Sequence, residues 1–124
     1  MAAPNIVNVV TITGKTAYAT PANTNATVLL ANSASSNKVF KINSLVASNV
    51  NGTDARNVTV AVNTAAAGSG TGYPIVSTVS VPADASLVVI DKDNPIYLEE
   101  DKSIVVTSGS ANDIAFTISY EEIS

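Results

Sequence analysis

The chain has 124 residues, of which 46% are apolar and only 13% charged, and its net charge is −4 at pH 7. This length suits one domain with one core, and six basic residues spread singly offer no cationic stripe to nucleic acid. Because there is no cysteine and no histidine, the sequence excludes disulfides, the usual zinc sites and the commonest general base near neutral pH.

Residues 1–14 are rich in β-branched side chains and predict an extended segment. Two interpretations are open: a first edge strand of the domain, or an arm that lies on a neighbouring subunit. In the second case the candidate interface residues are Pro4, Asn5, Ile6 and Val7. We expect residues 15–124 to form the domain itself.

Four strand segments are predicted in the first half of the domain: residues 15–20, 26–31, 38–50 and 57–63. In the third segment the alternation of apolar and polar side chains shifts phase around Asn43 and Ser44, which predicts a bulge or bend. Asn51-Gly52 is a favoured turn dipeptide.

The glycine-rich stretch 64–73 contains Gly68, Gly70 and Gly72. A phosphate-binding loop would have to open a helix, but the residues that follow, 74–81, have a β pattern. We therefore predict a flexible hairpin tip and no nucleotide site.

The second half continues with predicted strands at 74–81, 86–90, 96–98, 103–107 and 113–121. In the last of these, apolar side chains alternate strictly with small or polar ones: Ile114, Phe116, Ile118 and Tyr120. We predict an all-β, single-domain antiparallel β-sandwich, jelly-roll or immunoglobulin-like, with about eight to ten short strands and no substantial helix. The longest apolar runs are too short to span a bilayer, so we expect no membrane partner.

The acidic residues give weak indications of chemistry. Asp91, Asp93 and Asn94 resemble the start of a calcium loop, but the required glycine and glutamate are missing. The cluster 99–101 is predicted to lie at a turn, where charge discourages edge-to-edge strand pairing. We predict no catalytic residue, no cofactor and no metal, and we expect the protein not to be an enzyme.

Other candidate interface residues are tyrosines and the final carboxylates. Tyr18, Tyr73 and Tyr97 are possible interface anchors, since tyrosine is enriched in protein interfaces, although Tyr97 also suits a half-buried position. Glu121 and Glu122 are either exposed residues at the strand end or contacts to a basic group of a partner.

Four stretches carry a family resemblance: MAAPNIVNVVTITGKT, NSASSNKVFKINSLVASNVNGTDA, TVSVPADASLVVIDKDNPIYLEEDKSIVV and ISYEEI. Together they resemble small β-rich virion structural proteins of tailed bacteriophages, particularly those of marine and cyanobacterial hosts. The resemblance covers nearly the whole chain and rests on strands and turns, with no catalytic signature, so it assigns no functional residues.

The resemblance implies a non-enzymatic part of the virion, made in the host cytoplasm. The expected role is capsid decoration (cement), in which the protein binds and stabilises the lattice of the major capsid protein. A neck or tail component, and a glycan-binding module of the adhesion apparatus, are alternatives. Decoration proteins in general also suggest a homo-oligomer, with a trimer as the candidate form.

Overall fold

The computed structural model describes residues 11–124, which form nine β-strands and no helix. The strands are β1 (Ile12–Ala19), β2 (Thr27–Asn32), β3 (Val39–Asn49), β4 (Arg56–Asn63), β5 (Gly72–Val81), β6 (Ser86–Ile90), β7 (Ile96–Leu98), β8 (Lys102–Ser108) and β9 (Ile114–Ile123). The predicted strand segments are all present, most of them with ends shifted by one to three residues. The all-β prediction is confirmed for this part of the chain.

The strands make two antiparallel sheets. The first sheet has the order β1-β9-β3-β6, and β7 also pairs with β3; the second sheet has the order β2-β8-β4-β5. At the margins of the sandwich β1 lies beside β2, and β5 lies beside β6. The predicted single-domain antiparallel sandwich is therefore confirmed.

The core lies between the inner faces of the two sheets. In β9, Ile114, Phe116 and Ile118 are fully buried, whereas Thr117, between two of them, is exposed. This is the alternation that the sequence predicts. Fully buried residues of the second sheet, including Val60, close the core from the other side. Apolar burial on this scale is the main stabilising contribution to such a fold.

The bulge predicted in the long third strand is confirmed. The register of β3 against β9 shifts between Ile42 and Ser44, so one extra residue, Asn43, is accommodated there. Such a residue reverses the phase of the side chains that follow. Ile42 and Leu45, three positions apart, can therefore both be fully buried in the core.

The N-terminal predictions fall mostly on residues that the structure does not describe. The candidate interface residues Pro4, Asn5, Ile6 and Val7 lie outside residues 11–124, so the predicted arm stays a prediction. Residues 12–14 belong to β1 and pair with β9. The described residues contain no helix that is long and apolar enough to cross a membrane.

Candidate docking surface

The outer face of the first sheet carries rows of exposed side chains, although Val39 and Ile123, at one end of this face, are buried. We define it by the outward side chains of β1, β9, β3, β6 and β7. One row crosses four neighbouring strands in register: Tyr18, Thr117, Val46 and Val88. Tyr18 is 79% exposed and Val88 57% exposed. Contiguous exposed apolar patches mark protein contact surfaces, and Tyr18, Val46 and Val88 contribute apolar area along this row.

The next row of the outer face carries hydroxyl groups. Thr16, Ser119 and Ser44 lie side by side across three strands, and the hydroxyls of Thr16 and Ser119 are 3.0 Å apart. Ser86 and Ser48 make a similar pair at 3.3 Å near the opposite edge. These hydroxyl groups are neutral and already hydrogen-bonded to each other, so the free-energy cost of burying them under a partner would be small.

A third row contains the charges of the outer face. Glu121 of β9 lies opposite Lys41 of β3, with Gly14 on one side and Tyr97 on the other. The two opposite charges leave the row neutral, and Tyr97 is 48% exposed. Among the described residues the outer face is therefore neutral, and it carries two of the three tyrosines singled out from the sequence.

Glu122 differs from the prediction of an exposed residue at the strand end. It is only 9% exposed and lies opposite Phe40, on the inner side of β9. Its Oε2 is 2.5 Å from the Nζ of Lys15, and its Oε1 accepts a hydrogen bond from the Nζ of Lys38. The Lys15 and Lys38 ammonium groups hold the pKa of the Glu122 carboxyl below its usual value. This carboxylate is thus directed to lysines of its own chain.

The remaining predicted interface residues do not converge. Glu121 lies on the outer face of the first sheet, whereas Tyr73 lies on β5, the edge strand of the second sheet, and is 63% exposed. The structure therefore brings Tyr18, Tyr97 and Glu121 onto one face and places Tyr73 elsewhere.

Val46 and Val88 are the outer-face residues that sequence reasoning missed. Val46 follows the bulge in β3, so its side chain has the opposite orientation from the one that uninterrupted alternation would give. Counting on from the predicted phase shift at Asn43 could have identified it. Val88 lies in the run Leu87–Ile90, where apolar residues occupy both faces and alternation gives no signal.

The outer face of the second sheet is partly covered by the glycine-rich residues 64–71, which leave Val28 38% exposed. A Cβ on Gly68 would lie 2.9 Å from a methyl of Val28 and 3.4 Å from a methyl of Val105. Asn63 holds this segment: its side-chain amide donates to the carbonyls of Gly68 and Gly70, and its oxygen accepts from the N–H groups of Ala65 and Gly70. The predicted hairpin tip is present, but it folds back on the sheet and its backbone is hydrogen-bonded.

The acidic residues considered for chemistry contribute to turns. The Asp91 carboxylate accepts from the N–H of Asp93, 3.0 Å away, and the Glu100 carboxylate accepts from the N–H of Asn37, 3.2 Å away. Within residues 11–124, no three acidic side chains are grouped as a metal site would require, and no pocket opens.

A second ion pair joins loops at one end of the sandwich. Arg56 Nε donates to Asp113 Oδ2 at 2.7 Å, and the side-chain amide of Asn51 donates to the same oxygen. The Arg56 guanidinium holds the pKa of the Asp113 carboxyl below its usual value. The hydrogen bonds from Arg56 and Asn51 therefore connect the start of β4 and the turn at Asn51 to Asp113, the residue before β9.

Comparison with known proteins shows a structural likeness. No family model matches the chain, and no curated protein matches it. Among solved structures, it is similar to a chain from Bacillus endospore appendages, which are described as a novel family of disulfide-linked pili. The likeness has a TM-score of 0.51 at 16% sequence identity and covers 91% of this chain and 87% of that chain. At this identity it supports the fold alone.

Proposed function

We propose that this protein is a non-enzymatic structural protein of a tailed bacteriophage virion, and specifically a capsid decoration protein that binds the lattice of the major capsid protein. The single observation that carries the proposal is the outer face of the first sheet. It presents Tyr18, Val88 and Tyr97, all exposed, on a surface whose charges cancel. A surface of this kind suits contact with another protein.

The low charge of the chain supports the same role. Only 13% of residues are charged, and the outer face has a single opposed pair, Glu121 and Lys41. Docking such a face against protein requires little desolvation of charge. A stable contact of standard size buries about 1,200–2,000 Å² in total, and repetition over a lattice multiplies its effect.

A neck or tail component is the alternative within the virion. It differs from decoration in copy number, because a neck or tail structure occupies one vertex and decoration covers the whole shell. Copies per particle, measured by quantitative mass spectrometry against the major capsid protein, test the proposal. We expect a comparable copy number; far fewer copies would favour the neck or tail, and absence from purified particles would refute both.

A second candidate, a subunit of a protein fibre, is favoured by the likeness to the pilus structure. The chain has no cysteine, so its copies would have to associate without the disulfide links named for that pilus. Electron microscopy of the concentrated purified protein separates the two functions. Regular filaments would support the fibre subunit, whereas binding to capsids without filaments would support decoration.

A further inference from the structure

We propose that β1 pairs antiparallel with β1 of a second copy of this chain, across a two-fold axis at Thr16. The pairing joins the first sheets of the two copies into one continuous sheet. This inference goes beyond the proposed function, because the contact would form in the purified protein whether or not it binds a capsid.

The four sheet edges differ in how far they permit such pairing. The register of β2 shifts after Val28, and that of β5 shifts twice and includes Pro74. The β6 edge has five residues and a shift opposite Leu45. Bulges, short strands and proline all discourage edge pairing. In contrast, β1 keeps one register with β9 over eight residues, Ile12–Ala19.

The backbone groups that β1 offers can be identified from its pairing with β9. Thr11 and Ser124 exchange both N–H···O bonds, at 3.0 and 2.9 Å. In an antiparallel pair such residues alternate with residues whose N–H and C=O point away from the partner. Since the register is unbroken, the groups directed away from β9 belong to Ile12, Gly14, Thr16 and Tyr18. Within residues 11–124 no strand pairs with them.

Charge selects the register of the two-fold pair. In such a pair, the residues whose backbone groups point away from β9 must lie opposite one another in the two copies. Only a two-fold axis that passes through Lys15 or through Thr16 then pairs most residues of β1 with residues of the other β1. An axis at Lys15 places that ammonium group opposite its own copy, which is unfavourable. With the axis at Thr16, Lys15 instead lies opposite Ala17 of the second copy. The register with the axis at Thr16 is therefore favoured, because it separates the two Lys15 ammonium groups and still pairs most of β1.

The side chains on the outer face fit this same register. With Thr16 opposite Thr16, Tyr18 of each copy lies opposite Gly14 of the other. Tyr18 is 79% exposed, and a Cβ at Gly14 would meet nothing within 4 Å. An aromatic ring over an edge glycine is a favourable cross-strand arrangement, as is a Thr–Thr pair. The exposed ring and the open space above the glycine are thus complementary, twice per dimer.

The contact is small. One pair of edge strands contributes about six backbone hydrogen bonds, and its buried area falls below the ~1,200 Å² of a standard interface. We therefore expect weak association in dilute solution. In an assembly of many copies, the same contact is strengthened by effective concentration.

A single cysteine tests the two-fold directly, because the natural chain has none. Opposed residues of this kind have Cα atoms about 5.5 Å apart, a distance that suits a disulfide. Thr16→Cys should form a covalent dimer on mild oxidation and return to monomer on reduction. The matched control is Val88→Cys, which is exposed on the same face but distant from β1, and it should stay monomeric. No cross-link at Thr16→Cys, or equal cross-linking of both variants, would overturn the proposal.

Two further variants separate this contact from other modes of association. Thr16→Pro removes an N–H that points away from β9, and Gly14→Lys fills the space for Tyr18 with a charge. In sedimentation equilibrium both should weaken dimerisation by at least about tenfold, while Thr16→Val should not, and melting temperatures of all three should stay near wild type. If the Thr16→Pro and Gly14→Lys variants still dimerise like the wild type, the proposal is wrong. It is also wrong if these variants dimerise normally and only a deletion of residues 1–9 prevents dimerisation.

Discussion

The two sheets of the sandwich differ in what happens to their outer faces. The second sheet is partly covered by its own β4–β5 connection, whose Gly68 lies against Val28 and Val105, and Val28 remains 38% exposed. Among the described residues the first sheet keeps part of its outer face exposed, with Tyr18 and Val88 in one row, while Val39 and Ile123 at one end of the face are buried. Val105, on the covered face, is only 9% exposed. Apolar side chains outside the core are thus less exposed around Gly68 on the second sheet than in the row of Tyr18 and Val88 on the first.

The β4–β5 connection is held against the second sheet by the backbone conformation of Gly68 and by hydrogen bonds from Asn63. Gly68 has φ +76°, a conformation that glycine adopts without the steric cost of a Cβ. Asn63 is buried and satisfies four backbone groups of the segment. The first sheet has no such connection among the described residues: β1 is followed by a crossover to β2 of the other sheet.

The largest expected effect comes from the core that both faces share. Ile118 is fully buried on the inner side of β9, so Ile118→Asp would bury a charge among apolar side chains. We expect a loss of more than about 4 kcal/mol in the free energy of unfolding, enough to prevent folding. Far-UV circular dichroism and thermal melting measure this. Thr117→Asp, one position away and exposed, is the control; equal effects of the two variants would contradict the assigned faces of β9.

The next effect is specific to the covered face. Asn63→Ala removes four hydrogen bonds that hold residues 64–71, and we expect the free energy of unfolding to fall by about 2 to 3 kcal/mol. Hydrogen exchange should show faster exchange at Ala65 and Gly70 than in the wild type, with little change in β1 and β9. Unchanged protection of this segment would mean that packing on Val28, and not Asn63, holds it.

A smaller effect is expected at the margin of the first sheet, where Lys15 and Lys38 hold Glu122. Because the pKa of Glu122 is lowered in the folded state, its ionised form stabilises the fold above the ordinary value of 4.5. That contribution is lost as the pH falls through the lowered pKa. Since both lysines are about half exposed, Glu122→Gln should cost only about 1 kcal/mol at pH 7.

The pH dependence is the check on the role of Glu122. Urea denaturation at pH 7 and at pH 3 should show a smaller difference in stability for Glu122→Gln than for the wild type. The matched control is Glu121→Gln, on the outward side of the same strand. If both variants change the pH dependence equally, the ion pairs of Glu122 are not its source.

The fold was predictable from the sequence because its strands have period-two patterns and its turns have distinctive residues. The β9 alternation gave the inward face of Ile114, Phe116 and Ile118, and the phase shift at Asn43 located the bulge, but the outward orientation of Val46 beyond it was missed. The contacts between distant segments were not predictable. Nothing local to Glu122 indicates that Lys15 and Lys38 approach it, because they are 107 and 84 positions away along the chain. In the same way, the sequence predicts a flexible tip around Gly68, because nothing in it indicates that this segment packs against Val28.

Substitution of the exposed apolar residues on the outer face of the first sheet should have the smallest effect on stability. It is also the most direct test of whether this face binds the capsid. Replacing Val88 and Tyr97 with serine should change the free energy of unfolding by no more than about 0.5 kcal/mol, because both side chains are about half exposed. Binding to capsids that lack the protein should nevertheless weaken, since a docked face would lose its apolar contacts. Tyr73→Ser, at the edge of the second sheet, is the control and should bind normally. If Tyr73→Ser weakens binding and the double variant does not, the contact surface is the edge of the second sheet, and the open face of the first sheet has another role.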